Sequence, residues 1–204
     1  MQYKKLMVLL PLVILIHCTN PFSTRDPEKP DSGNQVYENP TQPGIVLDNM
    51  IMAIKEKNIN EYKKVFAPEG YEHTFRFEPE PSLSSENFFS KWSIQDEQSY
   101  FNNLVSKSTG TYPKLNLSFN ISDYSFTSII SGSESDSVRT NNMQYVLTVD
   151  PGDSTTVYTG NTEFKLFRSQ TDQFWYIYYW QDNAIDKNYS QTWTNLKIQN
   201  YLGK

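Results

Sequence analysis

Residues 115–181 consist largely of short segments in which apolar and polar side chains alternate, and this pattern restricts the fold most strongly. The alternating segments cover residues 115–121, 143–149, 155–167 and 174–181. Alternation with a period of two is typical of strands that bury one face. The sequence Asp150-Pro-Gly-Asp153 predicts a tight turn, and the Ser- and Asn-rich residues 131–142 predict a loop. The C-terminal half is therefore predicted to form an antiparallel sheet.

Helical spacing precedes this sheet region. Pro43 suits a first helical turn, and Val46 and Met50 begin a series of apolar residues at intervals of three and four. A second, short helix is predicted from Ile59, and Ser93-Ile-Gln-Asp96 has the pattern of a capping box at the start of a third. Helices followed by an antiparallel sheet predict an α+β fold in which N-terminal helices pack on the sheet.

Residues 71–78 alternate strictly and predict a strand between the helices. The alternation places Tyr71, His73, Phe75 and Phe77 on one face of this strand. An aromatic face that also carries a histidine is a candidate ligand-binding surface, so we take these four residues as candidates.

The last predicted strand is aromatic on both faces. Alternation divides its side chains into two sets, with Phe174, Tyr176, Tyr178 and Trp180 on one face and Trp175, Ile177 and Tyr179 on the other. Two apolar faces indicate burial on both sides. One face would pack on the helices, and the other would be covered by the tail that contains Trp193 or by a partner subunit. Tyr176, Tyr178 and Trp180 are further candidates for ligand binding.

Residues 1–17 have the pattern of a secretory signal peptide that ends at a cysteine. A short basic start precedes the apolar residues 6–16, a run shorter than the about 20 residues that span a bilayer. Cys18 is the only cysteine, and its position resembles the lipobox of bacterial lipoproteins, in which the thiol receives diacylglycerol. His17 departs from the small residue usual before that cysteine, so an ordinary signal peptide or an uncleaved anchor is the alternative.

The remaining chain divides into a tether and a domain. Residues 18–42 contain four prolines among Ser, Asn, Asp and Glu, and they predict a flexible tether that follows a lipidated Cys18. Residues 43–204 are predicted to form the α+β domain. We expect a lipid-anchored protein of the bacterial cell envelope. The resemblance to bacterial lipoproteins also implies that Thr19, in place of Asp after the cysteine, favours the outer membrane of a diderm host, with the domain facing the periplasm or the surface.

Charge and composition exclude several functions. Cleavage before Cys18 would remove two lysines and no acids, which changes the net charge from −5 to about −7. An acidic chain without clusters of Lys and Arg argues against a nucleic-acid partner. His73 is the only histidine after residue 17, so a His-rich zinc site is excluded, and we expect neither a metal nor a cofactor.

The order of the predicted elements and two motifs resemble the nuclear transport factor 2-like superfamily, also called cystatin-like. The motifs are Gly160-Asn-Thr-Glu-Phe-Lys-Leu166 and Phe174-Trp-Tyr-Ile-Tyr-Tyr-Trp-Gln-Asp182. The tail Thr192-Trp-Thr-Asn-Leu-Lys197 also looks like theirs, although Thr194 stands where glycine is expected. The resemblance covers residues 43–200. It implies a strongly bent antiparallel sheet that wraps around N-terminal helices and leaves a pocket in the resulting cone.

The resemblance also implies a catalytic alternative. Enzymes of this superfamily, such as ketosteroid isomerases and polyketide cyclases, place a carboxylate or a histidine in the cone, where burial tunes its pKa. His73 would be the base, Asp182 or Glu163 would orient it, and Tyr178 would donate to an oxyanion. In the structural alternative, His73 packs at an edge or on an exposed face. Asp182 then accepts hydrogen bonds from the backbone as the chain leaves the sheet.

Taken together, the residues favour a binding role over a catalytic one, because no catalytic constellation is evident. We expect a membrane-tethered domain that binds a small apolar or glycan ligand, or a protein of the envelope. An enzyme of the isomerase, dehydratase or cyclase type is the alternative. Relatives that dimerise through the outer sheet face imply a homodimer as a further hypothesis.

Overall fold

The computed structural model describes residues 36–84, 87–106, 112–121, 123–129, 136–186 and 191–201. The predicted signal peptide, Cys18 and most of the predicted tether lie outside these residues. The compact unit spans Tyr37–Lys204 and thus includes residues 37–42, which the sequence assigns to the tether. These residues are held to the domain because the Asn49 side chain donates to the carbonyl of Glu38 and accepts from its N–H.

Four α-helices lie in the described part of the chain. They are α1 (Pro43–Glu56), α2 (Ile59–Lys64), α3 (Ile94–Ser106) and α4 (Trp193–Tyr201). The three predicted helices are confirmed, and local signals explain their bounds. Pro43 stands in the first turn of α1, and Lys57 ends that helix with a left-handed φ of 58°. Ser93 and Asp96 form the predicted capping box, because each side chain accepts the other residue's backbone N–H.

The strands form one seven-stranded sheet. They are β1 (Arg76–Glu78), β2 (Lys114–Phe119), β3 (Phe126–Ser128), β4 (Ser137–Thr140), β5 (Met143–Asp150), β6 (Thr156–Arg168) and β7 (Trp175–Asn183). The long strand β6 organises the sheet: one edge pairs with β7, while the other pairs first with β5 and then with β4. Strand β2 extends the sheet beyond β5, and β3 extends it beyond β4. The predicted α+β class with a bent sheet is confirmed.

One strand pair differs from the antiparallel prediction. Strand β1 pairs with β7 in parallel, with Phe77 opposite Trp180. Residues 65–67 reach the same edge of β7 slightly earlier, through a parallel bridge between Phe66 and Ile177. Residues 65–67 and strand β1 therefore both run parallel to β7 along the same edge.

The predicted strand over residues 71–78 is shorter in the structure, where only β1 is hydrogen-bonded to the sheet. Residues 71–75 are held instead by side chains, because Tyr71 donates to Asp172 over 3.2 Å and Glu72 accepts the N–H of Gln170 over 2.8 Å. The alternating burial still extends to Phe75. The periodicity therefore predicted that Phe75 and Phe77 point inward, but neither the strand length nor the placement of Tyr71 and His73, which pack against the opposite face of the sheet.

The predicted loop over residues 131–142 is partly wrong, because β4 lies within it. This strand has a polar sequence, so it carries no alternating apolar signal. Its buried residue Thr140 accepts the backbone N–H of Phe164 through its hydroxyl over 2.9 Å. A hydrogen bond from β6, and not the burial of apolar side chains, therefore accounts for the place of β4 in the sheet.

A β-bulge at Tyr178 overturns the predicted division of faces in β7. Lys165 is opposite Tyr179, whereas the next residue of β6, Leu166, is opposite Ile177, so Tyr178 is an extra residue. Trp180 consequently lies on the same face as Ile177 and not on the face of Tyr176. The inserted residue reverses the alternation halfway along the strand.

The tail covers the core face of the sheet and not the opposite face. The Trp193 ring lies 4.5 Å from the Trp180 ring, edge to face, and both side chains are at most 1% exposed. Tyr71 and His73 cover one end of the opposite face, which we call the outer face. Both faces of β7 are therefore partly buried, as predicted. However, α4 packs on the same face as the other helices and not on the opposite one.

Candidate functional site

The core contains a buried ion pair between α3 and α4. Glu97 and Lys197 are both fully buried, and the ammonium of Lys197 contacts both carboxylate oxygens. The same carboxylate accepts the hydroxyl of Tyr62 over 2.7 Å and the indole N–H of Trp92 over 2.8 Å. Such partners offset the cost of removing a carboxylate from water.

Four aromatic rings surround the ammonium of Lys197. The distances from Nζ to the ring centroids are 4.0 Å for Trp180, 4.4 Å for Phe77, 4.7 Å for Tyr100 and 5.4 Å for Trp92. All four fall within the range in which a cation is attracted to an aromatic face. We call these four rings, together with Glu97, the ammonium cage.

Burial perturbs the ionisation of this cluster. Removal from water lowers the pKa of Lys197, while the carboxylate of Glu97 opposes that shift. Burial also raises the pKa of Tyr62 and of Tyr100, and the nearby charge of Glu97 adds to both shifts. The raised pKa favours the neutral form of both tyrosines, in which Tyr62 donates to Glu97 and Tyr100 accepts the indole N–H of Trp193.

Asp182 holds the first turn of α4 against the sheet. Its fully buried carboxylate accepts the backbone N–H of Thr194 over 2.7 Å, the hydroxyl of Thr194 over 2.6 Å and the hydroxyl of Tyr145 over 2.8 Å. Burial raises the pKa of Asp182, and the hydrogen bonds from Thr194 oppose that rise. This geometry agrees with a structural role, although the backbone partner lies across the fold and not in a local turn.

Two residues near Asp182 explain features of the sequence motifs. Thr194 stands where the resemblance implies glycine, and its hydroxyl also accepts the backbone N–H of Glu80 over 2.9 Å. Gly160 lies so close to Tyr145 that an added Cβ would be 2.5 Å from the tyrosine hydroxyl. Glycine is thus required at position 160 if Tyr145 is to reach Asp182.

His73 lies on the outer face, away from this interior network. Its ring stacks on Tyr178 with a centroid distance of 4.3 Å and meets the edge of Phe167 at 4.8 Å. Partial burial lowers the pKa of His73, and the charge of Glu72 opposes that shift. Asp182 is on the opposite face of β7, so the predicted pairing of His73 with Asp182 in one cavity is not formed.

The other predicted residues divide between the two faces. Tyr71, Tyr176 and Tyr178 lie with His73 on the outer face, where Tyr71 and Tyr176 both donate to one oxygen of Asp172. Phe75, Phe77 and Trp180 lie in the core. Glu163 on β6 is opposite Gln181 on β7. Its side chain also faces outward, because Thr162 and Phe164 on either side of it face the core. The Tyr178 bulge thus separates Trp180 from Tyr176 and Tyr178, and the chain between His73 and Phe75 passes from the outer face to the core.

An open groove of about 620 Å³ lies on the surface, and of the predicted ligand-binding residues only Tyr176 lines it. Its floor consists of buried apolar residues, namely Val46, Val65, Phe66, Ala67 and Ile94. Its aromatic walls are Tyr37, Phe174 and Tyr176, and its charged rim consists of Glu38, Glu61, Glu69, Asp172, Lys63 and Lys64. The rim carries more carboxylates than ammonium groups, which favours a neutral or cationic ligand over an anionic one.

Two further features bear on function. In the parts of the chain that the structure describes, no cluster of three or more His, Cys, Asp or Glu side chains could hold a metal ion. Among the same residues, no helix is both long and apolar enough to cross a membrane.

Comparison with known family models finds no match, and comparison with curated proteins finds none either. A solved structure of similar fold is a candidate aromatic ring hydroxylase from Novosphingobium aromaticivorans, which has 13% identity and a TM-score of 0.48 over 74% of this chain and 91% of that chain. Another is a nuclear transport factor 2-like protein of unknown function in nutrient uptake from Rhodospirillum rubrum. It has 10% identity and a TM-score of 0.46 over 71% of this chain and 99% of that chain.

A third solved structure is a protein of unknown function with a cystatin-like fold from Nostoc punctiforme. It has 11% identity and a TM-score of 0.38 over 70% of this chain and 87% of that chain. Nuclear transport factor 2-like and cystatin-like proteins are thus among the structural neighbours. Identities this low assign no activity, which has to be argued from the side chains of this chain.

Proposed function

We propose that this chain is a lipid-anchored domain of the bacterial cell envelope that binds a ligand in its surface groove without transforming it. The observation that carries this proposal is the contrast between the interior and the groove. The charged groups of the interior, Glu97, Asp182 and Lys197, are fully buried and engaged with one another or with neutral donors. The groove is open and combines an apolar floor with aromatic walls.

The chemistry of the groove favours a ligand with an apolar or sugar-like face. Tyr176 presents an aromatic wall whose hydroxyl donates to Asp172 over 2.6 Å, so ring and carboxylate are held together. Aromatic rings stack on the apolar face of a sugar, while carboxylates and amides accept its hydroxyl groups. The carboxylates of Glu38 and Glu69 on the rim supply further acceptors. A small glycan or an amphiphilic molecule therefore fits better than an anionic ligand.

The catalytic alternative has less support from the same geometry. Of the two carboxylates predicted to orient a proton-abstracting His73, Asp182 lies across the sheet from it and only Glu163 faces the same side. The core position that the resemblance assigns to a substrate pocket is filled by Lys197 and its surrounding rings. Ligand binding in the surface groove, in contrast, requires no residue to lie elsewhere than the structure places it.

Substitution of Phe174 by alanine is expected to abolish ligand retention while the domain stays folded. Phe174 forms an aromatic wall of the groove and is only half-buried, so its loss removes contact surface with little effect on the core. Native mass spectrometry of the full-length protein, released gently from its host membrane, would detect the retained molecule. Phe126→Ala is the matched control, because Phe126 is equally half-buried but does not line the groove. Equal retention by both variants would contradict the proposal.

Lipidation of Cys18 is expected to be lost in Cys18→Ser. The thiol is the acceptor of the diacylglycerol group in the proposed anchor, and serine lacks that nucleophile. Metabolic labelling with an alkyne analogue of palmitate would measure the modification. Thr19→Ala serves as the control and should retain the label. If Cys18→Ser were labelled as strongly as the unchanged chain, the anchor would have to be assigned elsewhere.

A further inference from the structure

The ammonium cage has the composition of a ligand site and not only that of a salt bridge. Trp180, Phe77 and Tyr100 direct their rings to the ammonium with centroid distances of 4.0–4.7 Å, and a carboxylate completes the enclosure. Aromatic faces around a carboxylate are the means by which proteins bind ammonium ligands. We propose that the core of this domain is a binding site for primary alkylammonium groups, occupied here by the chain's own Lys197.

The carboxylate of the cage is held in place without Lys197. Tyr62 on α2 donates to one oxygen of Glu97, and Trp92 donates to the other. Removal of the lysine side chain would therefore leave a carboxylate that is still oriented by two neutral donors. A site whose charged group is already positioned loses little entropy when it binds a free ligand.

The rings are also fixed by contacts other than those with Lys197. Trp180 packs edge to face with Trp193 at 4.5 Å and with Phe77 at 5.2 Å. Among the described residues, its indole N–H is buried without a hydrogen-bond acceptor. Contacts with neighbouring rings, and no hydrogen bond, therefore hold the Trp180 ring. One of its faces is turned to the ammonium of Lys197.

A groove of about 610 Å³ lies on the other side of the cage wall. Phe77 and Trp92 line both this groove and the cage, so the two spaces share these rings. Displacement of the Phe77 ring would connect the cage to this groove and leave the hydrogen bond from Trp92 to Glu97 in place. This arrangement offers a route for a small amine that does not require the sheet to open.

The contacts define the class of ligand. The ammonium of Lys197 reaches both oxygens of Glu97, which requires N–H donors that a quaternary ammonium lacks. The four-carbon stem of the lysine side chain sets the length of the alkyl chain that fits the site. We therefore expect n-butylammonium to bind, tetramethylammonium to bind less well, and the neutral n-butanol to bind poorly. This site is distinct from the surface groove, and its test does not depend on the proposed function.

The test is chemical rescue of Lys197→Gly in the full-length chain. Saturating n-butylammonium is expected to raise the thermal midpoint of Lys197→Gly by about 3–6 °C at roughly ten times its Kd, and to leave the unchanged protein unaffected. If Lys197→Gly is unfolded in buffer, the amine should restore the near-ultraviolet circular dichroism of the buried tryptophans. Lys197→Met fills the cavity and should fold without any response to the amine.

Two results would overturn the proposal. One is an equal rise with n-butanol and n-butylammonium, because the site would then merely be a cavity that any apolar chain fills. The other is the absence of both a shift and a restored spectrum with the amine. As an internal check, Glu97→Gln in the Lys197→Gly background should remove the preference for the amine over the alcohol.

Discussion

Substitution of Glu97 by alanine is expected to lower the free energy of unfolding by about 3–5 kcal/mol, the loss typical when one partner of a buried ion pair is removed. The change leaves the ammonium of Lys197 fully buried without its carboxylate. It also deprives the Tyr62 hydroxyl and the Trp92 indole of their acceptor. A domain of this size is commonly stable by only about 5–15 kcal/mol, so the effect is a large fraction of the total. Urea unfolding monitored by tryptophan fluorescence measures it.

A double variant separates the charge from the packing. In Glu97→Leu/Lys197→Met both charges are replaced by apolar groups of similar volume, which is often close to neutral for stability. We expect this variant to recover most of the loss caused by Glu97→Ala. A double variant as unstable as Glu97→Ala would mean that the unpaired charge does not cause the loss, which would then come from the packing around the pair or from the donors of Tyr62 and Trp92 that lose their acceptor.

Substitution of Asp182 by alanine is expected to cost about 2–4 kcal/mol, because several buried donors lose their acceptor together. Those donors are the backbone N–H and hydroxyl of Thr194 and the hydroxyl of Tyr145. The first two belong to the first turn of α4, so this helix should become the least protected part of the domain. Amide hydrogen exchange would show faster exchange in α4 than in α1.

The control for this variant is Asp150→Ala. Asp150 is less buried and accepts the backbone N–H of Gly152 over 2.8 Å in a turn. Its loss should change stability by about 0.5 kcal/mol or less, as is usual for surface substitutions. If Asp182→Ala were equally mild and α4 stayed protected, Asp182 would not be what holds the helix.

The elements that could be predicted from sequence are those whose signals are local. Helix α3 is an example, because Ser93 and Asp96 are three residues apart and fix its start by their own hydrogen bonds. Strand β4 escaped prediction because hydrogen bonding across the sheet positions its polar residues. The bulge at Tyr178 could not be predicted, because a run of consecutive aromatic residues gives the same apolar pattern in either register.

The candidate sites could not be predicted for a related reason. Glu97 and Lys197 are 100 residues apart, and neither stands in a pattern that marks it as buried. Lys197 even belongs to a tail motif whose helix was not predicted. The groove likewise draws Pro40, Ile94 and Phe174 from separate segments. Such sites depend on which elements meet, which a local pattern does not record.

The account depends most on the claim that the charged core is closed and its charges paired, and acetylation of lysines tests this claim most directly. The folded full-length protein would be treated with an amine-reactive acetyl ester, and each lysine's rate would be read by peptide mass spectrometry. Lys63 and Lys64 are exposed at the groove rim and should react rapidly, whereas the fully buried Lys197 should react only through unfolding. A Lys197 that reacts as fast as Lys63 and Lys64 would show an open interior and contradict the claim.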